Sequence, residues 1–154
     1  MFSVALIAIV LFITGSYRFG LLMTGNRKIA GYTALLAVFS STFIETLHLF
    51  GQLPSIVGLS LLLHTLPEIY TWLKTGKLRY LATSLSLIAV TVTSHHVTPI
   101  FGMIFFIFPL IGMVLMDAAK DRVGDYKNVT FIIFWAVFKR LFWRMVTFGF
   151  SSLV

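Results

Sequence analysis

Residues 54–73 read "PSIVGLSLLLHTLPEIYTWL", twenty positions with one formal charge, Glu68, and one histidine, His64. A run of this length and character matches the roughly 20 residues with which a helix crosses the hydrocarbon core of a bilayer. Lipid offers no partner to an open amide, so a helix is the form such a run takes. The alternative, a core helix of a soluble domain, requires a charged coat elsewhere in the chain. With 58% hydrophobic and only 11% charged residues, the 154-residue chain has no such coat. Its mean hydropathy of +0.97 places it among membrane proteins and leaves no room for a separate soluble domain.

Four further apolar runs surround this one. Residues 1–23, "MFSVALIAIVLFITGSYRFGLLM", have no basic stretch ahead of the apolar core and no small-residue cleavage site, so they read as a retained first span and not a secretory signal. Ile29 to Phe50 is expected as the second span, with 54–73 the third. Tyr80 to about Val97 is expected as the fourth, and Pro99 to about Met116 as the fifth. The expected fold is therefore all-α, a polytopic membrane bundle with five transmembrane helices over residues 1–125. Residues 126–154 form a basic, aromatic, amphipathic segment that is either an interfacial helix or a sixth span. At helical angles its Lys139, Arg140 and Arg144 fall on one side, toward anionic lipid headgroups or an acidic partner.

The formal charge of +7 raises nucleic acid as a partner, and the placement of the basic residues decides against it. Eight of the twelve lie in three short stretches between apolar runs, residues 24–28, 74–79 and 117–127, whereas the connections "GQLP" and "VTP" hold none. This is the positive-inside pattern of a chain embedded in a bilayer. It predicts a bacterial inner (cytoplasmic) membrane, the N-terminus outside, and those three loops in the cytoplasm. The absence of cysteine excludes disulfides, thiol redox chemistry and thiolate metal sites. No internal repeat, phosphate-binding glycine loop or nucleophile–base arrangement is present, so no enzymatic activity is expected.

The chemistry lies in polar residues inside the apolar runs. Ser60, His64, Glu68 and Thr71 share one face of the third span, and Thr14 and Arg18 share one face of the first. Ser41, Glu45 and His48 do the same on the second, and Ser84, Thr91 and His95 on the fourth, with His96 turned about 100° away. Such lanes are expected to face one another and not lipid. At about 1.5 Å per residue, Arg18 comes to the depth of His64 and Glu68, which predicts an Arg18–Glu68 pair in the inner half. The same reckoning predicts a group of Glu45, His48 and His95 in the outer half.

Arg18, Glu45, His48, His64 and Glu68 together suit a proton path, because imidazole exchanges protons near neutral pH. Two other chemistries suit the outer histidines. Zinc, iron or copper fits His48, His95, His96 and Glu45. The placement of His48 and His95 on two helices at equal depth is similar to that in cytochrome b proteins, a resemblance that implies a b-type haem between them. A chain of this size with short loops and sixteen phenylalanines is best expected as an accessory or assembly subunit of a larger membrane complex of ion or electron transport, or as a homo-oligomer. A small proton-coupled transporter or channel is the alternative.

Overall fold

The computed structural model describes residues 2–48, 52–123 and, in the C-terminal segment, 135, 138, 139, 142–144, 146 and 147. Among the described residues every element is helical. Helix α1 spans Phe2–Thr24, α2 Arg27–Val38, α3 Ser41–His48, α4 Leu53–Thr75 and α5 Leu78–Ser94. A short α6 (Val97–Gly102) runs through a π-helical turn (Met103–Ile107) into α7 (Phe108–Val123).

Three helical segments are long and apolar enough to cross a membrane: Ser3–Thr24, Leu53–Thr75 and Val97–Asp117. Among the described residues five continuous spans of that length are not shown. The expected second span, 29–50, is broken at Phe39–Ser40 into α2 and α3. The Ser40 hydroxyl donates to the carbonyl of Ala37 at 2.7 Å and accepts from the Phe43 amide at 3.3 Å, so it ends one helix and caps the next. Neither piece, of 12 and 8 residues, crosses the roughly 30 Å hydrocarbon core alone, so the return of the chain from the end of α1 to the start of α4 takes both. Helix α5, with 17 residues, is also shorter than a standard span. The stretch 117–127, expected as a cytoplasmic loop, is helical as far as Val123, and 124–127 lie outside the described residues. Most of 126–154, and so the choice between interfacial and spanning helix, also lies outside them.

Helix α4 is the axis of the bundle. Within its apolar stretch 56% of residues are buried, against 28% for α1 and 18% for Val97–Asp117, so the other helices are arranged around it. Ile56, Leu63, Leu66, Ile69 and Trp72 of α4 meet Ala8 and Phe12 of α1, Leu81 of α5, and Leu110 and Val114 of α7. Phe43 of α3 stacks on Phe12 with ring centroids 4.6 Å apart. The outward faces carry large apolar side chains, among them Val4, Ile7, Leu36, Ile100, Phe105 and Phe108. Apolar inside and out, with three spanning-length helices, the bundle is compatible with a membrane location.

The turns follow from local chemistry. Gly25, at φ 65°, reverses the chain after α1, and the Asn26 side chain caps α2 by accepting from the amides of Lys28 (2.9 Å) and Ile29 (3.4 Å). Gly76, at φ 73°, ends α4 in the left-handed conformation that glycine tolerates best. Hydroxyls within the helices bond back to their own carbonyls: Ser60 to Ile56, Thr65 to Leu61, Ser84 to Leu81 and Thr91 to Leu87. Among the described residues no buried side-chain nitrogen or oxygen lacks a partner, as an apolar environment requires.

Candidate functional site

The site begins with a close approach of backbone to backbone. A methyl group at Gly15 of α1 would stand 3.0 Å from the Ser60 carbonyl oxygen and 3.1 Å from the Leu63 Cβ of α4. Only glycine lets the two helices come this near. Thr14 and Arg18, which flank Gly15 on the same side of α1, are thereby held against His64 and Glu68 of α4.

Arg18 donates from one arm to Glu68 Oε1 at 2.5 Å, and its other terminal nitrogen lies 3.2 Å from His64 Nδ1. On the far side of the ring, Nε2 lies 3.2 Å from both the Leu11 carbonyl oxygen and Thr14 Oγ1. These contacts assign the tautomer. A guanidinium only donates, so Nδ1 is the bare acceptor, and a main-chain carbonyl only accepts, so Nε2 carries the hydrogen. Thr14 receives part of that donation while its own hydroxyl donates to Val10 O at 2.8 Å. His64 is thus held neutral between a cation and a carbonyl.

The two ends of this chain differ. The Glu68 side chain is 13% exposed and that of Arg18 42%, so the carboxylate is sheltered while the guanidinium stands at the edge of the α1–α4 seam. Pro67 lies between His64 and Glu68 in sequence and brings no N–H, so the Leu63 carbonyl gets no helical bond from position 67. The site therefore sits on a turn of α4 with one main-chain bond fewer than a regular helix.

Of the outer group expected from the sequence, Glu45 and His95 are described and the side chain of His48 is not. Glu45 is exposed on α3. His48 ends that helix, and its side chain lies outside the described residues. His95 ends α5 and is held at both nitrogens, Nδ1 lying 2.8 Å from Thr98 Oγ1 and Nε2 3.2 Å from Ser55 Oγ. Ligation of haem iron or another metal at His95 would require one of these contacts to be given up. His96 is exposed, its ring centroid 6.1 Å from that of His95. Among the described residues no group of three His, Asp or Glu side chains is placed to hold a metal ion.

The basic C-terminal residues divide as well. Lys139 is exposed and Arg140 lies outside the described residues. Arg144, expected to face lipid or a partner, donates to the main-chain carbonyl of Leu73, close against Gly76, and so satisfies the end of α4. Asp117 of α7 accepts from the Tyr70 hydroxyl and lies 3.9 Å from Lys74 Nζ, tying α7 to the same end.

Sequence reasoning missed three of these features: the bridging position of His64, the Ser55–His95–Thr98 clamp and the Tyr70–Asp117 contact. A signal existed for the second, since Thr98 follows His95 by three residues at a helix junction. The chain matches no family model, no curated protein and no solved structure, so its likeness to known proteins adds nothing to what these side chains say.

Proposed function

We propose that the protein is a small integral membrane subunit of an ion-transporting assembly, and that the Arg18–His64–Glu68 chain carries its coupling proton. The observation that supports this reading is the unbroken contact of three ionisable side chains between two apolar, spanning-length helices. Ionisable groups are costly in lipid and are kept there chiefly where they do work. Proton arrival at Glu68 weakens its hold on the guanidinium, whose exposed side leaves it room to swing away. His64 Nδ1, no longer covered, then takes that proton from Glu68, and release of the Nε2 hydrogen past Thr14 to water completes the transfer. The subunit part of the reading is supported by the exposed aromatic face of Val97–Asp117, where Phe101 and Phe105 stack at 6.0 Å beside exposed Phe108.

The test is one preparation. Extracted in mild detergent, the protein is expected to bring stoichiometric partner chains in intact-assembly mass spectrometry. That assembly, placed in liposomes containing a pH dye, is expected to move protons under an imposed potential. Glu68→Gln and His64→Gln should slow this flux by about 100-fold, the order of loss when a proton-transfer group is removed. Unchanged flux in both variants would make the network structural and end the proposal.

We place the N-terminus outside a bacterial inner membrane, with 24–28 and 74–79 in the cytoplasm, on the basic charge of those loops. An alkaline phosphatase reporter fused after Gln52 is then expected to be active. An inactive fusion at Gln52 beside an active one at Gly76 would reverse the orientation.

A further inference from the structure

Between α1, α3, α4 and α6 lies a cavity of about 620 Å³, inside the range of about 300–1,000 Å³ typical of small-molecule sites. Its lining changes character along α4. Gln52 and Ser55 in the first turn are polar, whereas Ile56, Leu59 and Leu62, continuing the same helical face, are apolar. From Gln52 to Leu62 this face runs about 15 Å along the helix axis. Across from it, His95 at the end of α5 and Thr98 and Phe101 of α6 repeat the order from polar to apolar. Among the described residues none that lines the cavity carries a permanent charge.

The deep wall depends on an irregularity of the backbone. Phe101 and Phe106 both line the cavity, yet residues five apart in an α-helix stand about 140° apart. The π-helical turn Met103–Ile107, built on i→i+5 bonds, brings them round to one side. Such turns are rare and occur frequently at functional sites. The break at Ser40 sets the opposite wall, because Ser40 and Phe43 both face the cavity.

From these features we infer that the cavity holds one hydrocarbon tail of a membrane amphiphile whose head is an uncharged hydroxyl or carbonyl. The rim is built for that head. Thr98, His95, Ser55 and Gln52 form a chain of contacts at 2.8, 3.2 and 3.4 Å. With the hydrogen on Nε2, His95 donates to Ser55 and Ser55 to the Gln52 oxygen, which leaves the Gln52 amide nitrogen to donate to a carbonyl. With the hydrogen on Nδ1, Ser55 donates to His95 instead, and the Gln52 amide oxygen is left to accept from a hydroxyl. A phosphate or carboxylate head would find no cation in the lining. The polar end lies at the α4–α5 end of the bundle where His95 and Gln52 sit, and the apolar end toward mid-helix, which is how an amphiphile is oriented in one leaflet. None of the Arg18–His64–Glu68 side chains takes part, so either proposal stands or falls without the other.

The test uses the full-length protein in lipid nanodiscs, with diacylglycerol carrying a photoreactive group in its tail and a matched phosphatidylglycerol probe. Diacylglycerol is expected to label 56–62 and 101–106, and phosphatidylglycerol about tenfold less. Leu59→Trp, which fills the cavity, should cut the labelling about tenfold, and Ser55→Ala, which alters only the rim, should erase the preference between the two heads. Displacement by an isoprenoid quinone would assign the carbonyl form of the head, and displacement by a long-chain alcohol, which has no carbonyl, the hydroxyl form. Equal labelling by the two probes in the wild type, or undiminished labelling of a Leu59→Trp protein with wild-type melting temperature, overturns the inference.

Discussion

Arg18→Leu is expected to lower stability by about 3 kcal/mol, and the double variant Arg18→Leu/Glu68→Leu to recover most of that loss. The single change strands a carboxylate whose side chain is only 13% exposed. It also uncovers His64 Nδ1, which faces Arg18 at 3.2 Å. The figure belongs at the low end of the range for broken buried pairs because the substitution also removes a guanidinium, 42% exposed at the edge of the seam, from the apolar layer. The double variant removes both charges and keeps the apolar volume, so the desolvation cost vanishes with the attraction. Reversible unfolding in mixed micelles measures each step. Proton flux separates the two meanings of the pair: the double variant is expected to be stable and inactive. A stable double variant with wild-type flux would reduce the pair to a fastener between helices, and equal destabilisation of single and double variants would show that the two charges are not coupled.

This pair was legible in the sequence because few physical quantities were needed to find it. A charge in each of two apolar runs needs a partner, and counting residues from the nearest loops at about 1.5 Å each brings Arg18 and Glu68 to one depth. That count works for α1 and α4 because both are continuous. For the run 29–50 the count is incomplete, because Ser40 divides it into α2 and α3 and the side chain of His48 lies outside the described residues. A hydropathy pattern sees only apolar residues on either side of "SS" and does not register that a serine hydroxyl recaptures the Ala37 carbonyl. Arg144 escaped for another reason: a helical wheel of its own segment shows three cations on one side, but not that the last carbonyls of α4, at Leu73, lie within reach. Helical spacing separated His95 from His96 by about 100°, but only the fold makes the first a clamp between Ser55 and Thr98 and leaves the second exposed.

The second large effect belongs to a residue with no chemistry of its own. Gly15→Ala is expected to cost about 1–3 kcal/mol, although alanine is the better helix former by about 1 kcal/mol. The added methyl would meet the Ser60 carbonyl oxygen at 3.0 Å, and a backbone atom in mid-helix has nowhere to go. The His64 Cδ2 atom at 3.2 Å is the softer neighbour, so part of the strain should pass into the imidazole and disturb its contact with Arg18. Gly15→Leu should exceed that range and force α1 off α4, with loss of flux even though all three ionisable groups remain. Gly31→Ala is the control: nothing lies within 4 Å of its added methyl, so the same substitution should be neutral or stabilise by up to about 1 kcal/mol. If Gly15→Ala and Gly31→Ala unfold at the same denaturant midpoint, the α1–α4 contact is looser than the geometry says. The decisive figure is the coupling between sites: in a Gly15→Leu background, Arg18→Leu should cost much less than it does alone, because the pair it breaks has already been pulled apart. A full additive cost would mean that Arg18 and Glu68 stay paired without the close approach at Gly15, and the glycine would then have no part in assembling the site.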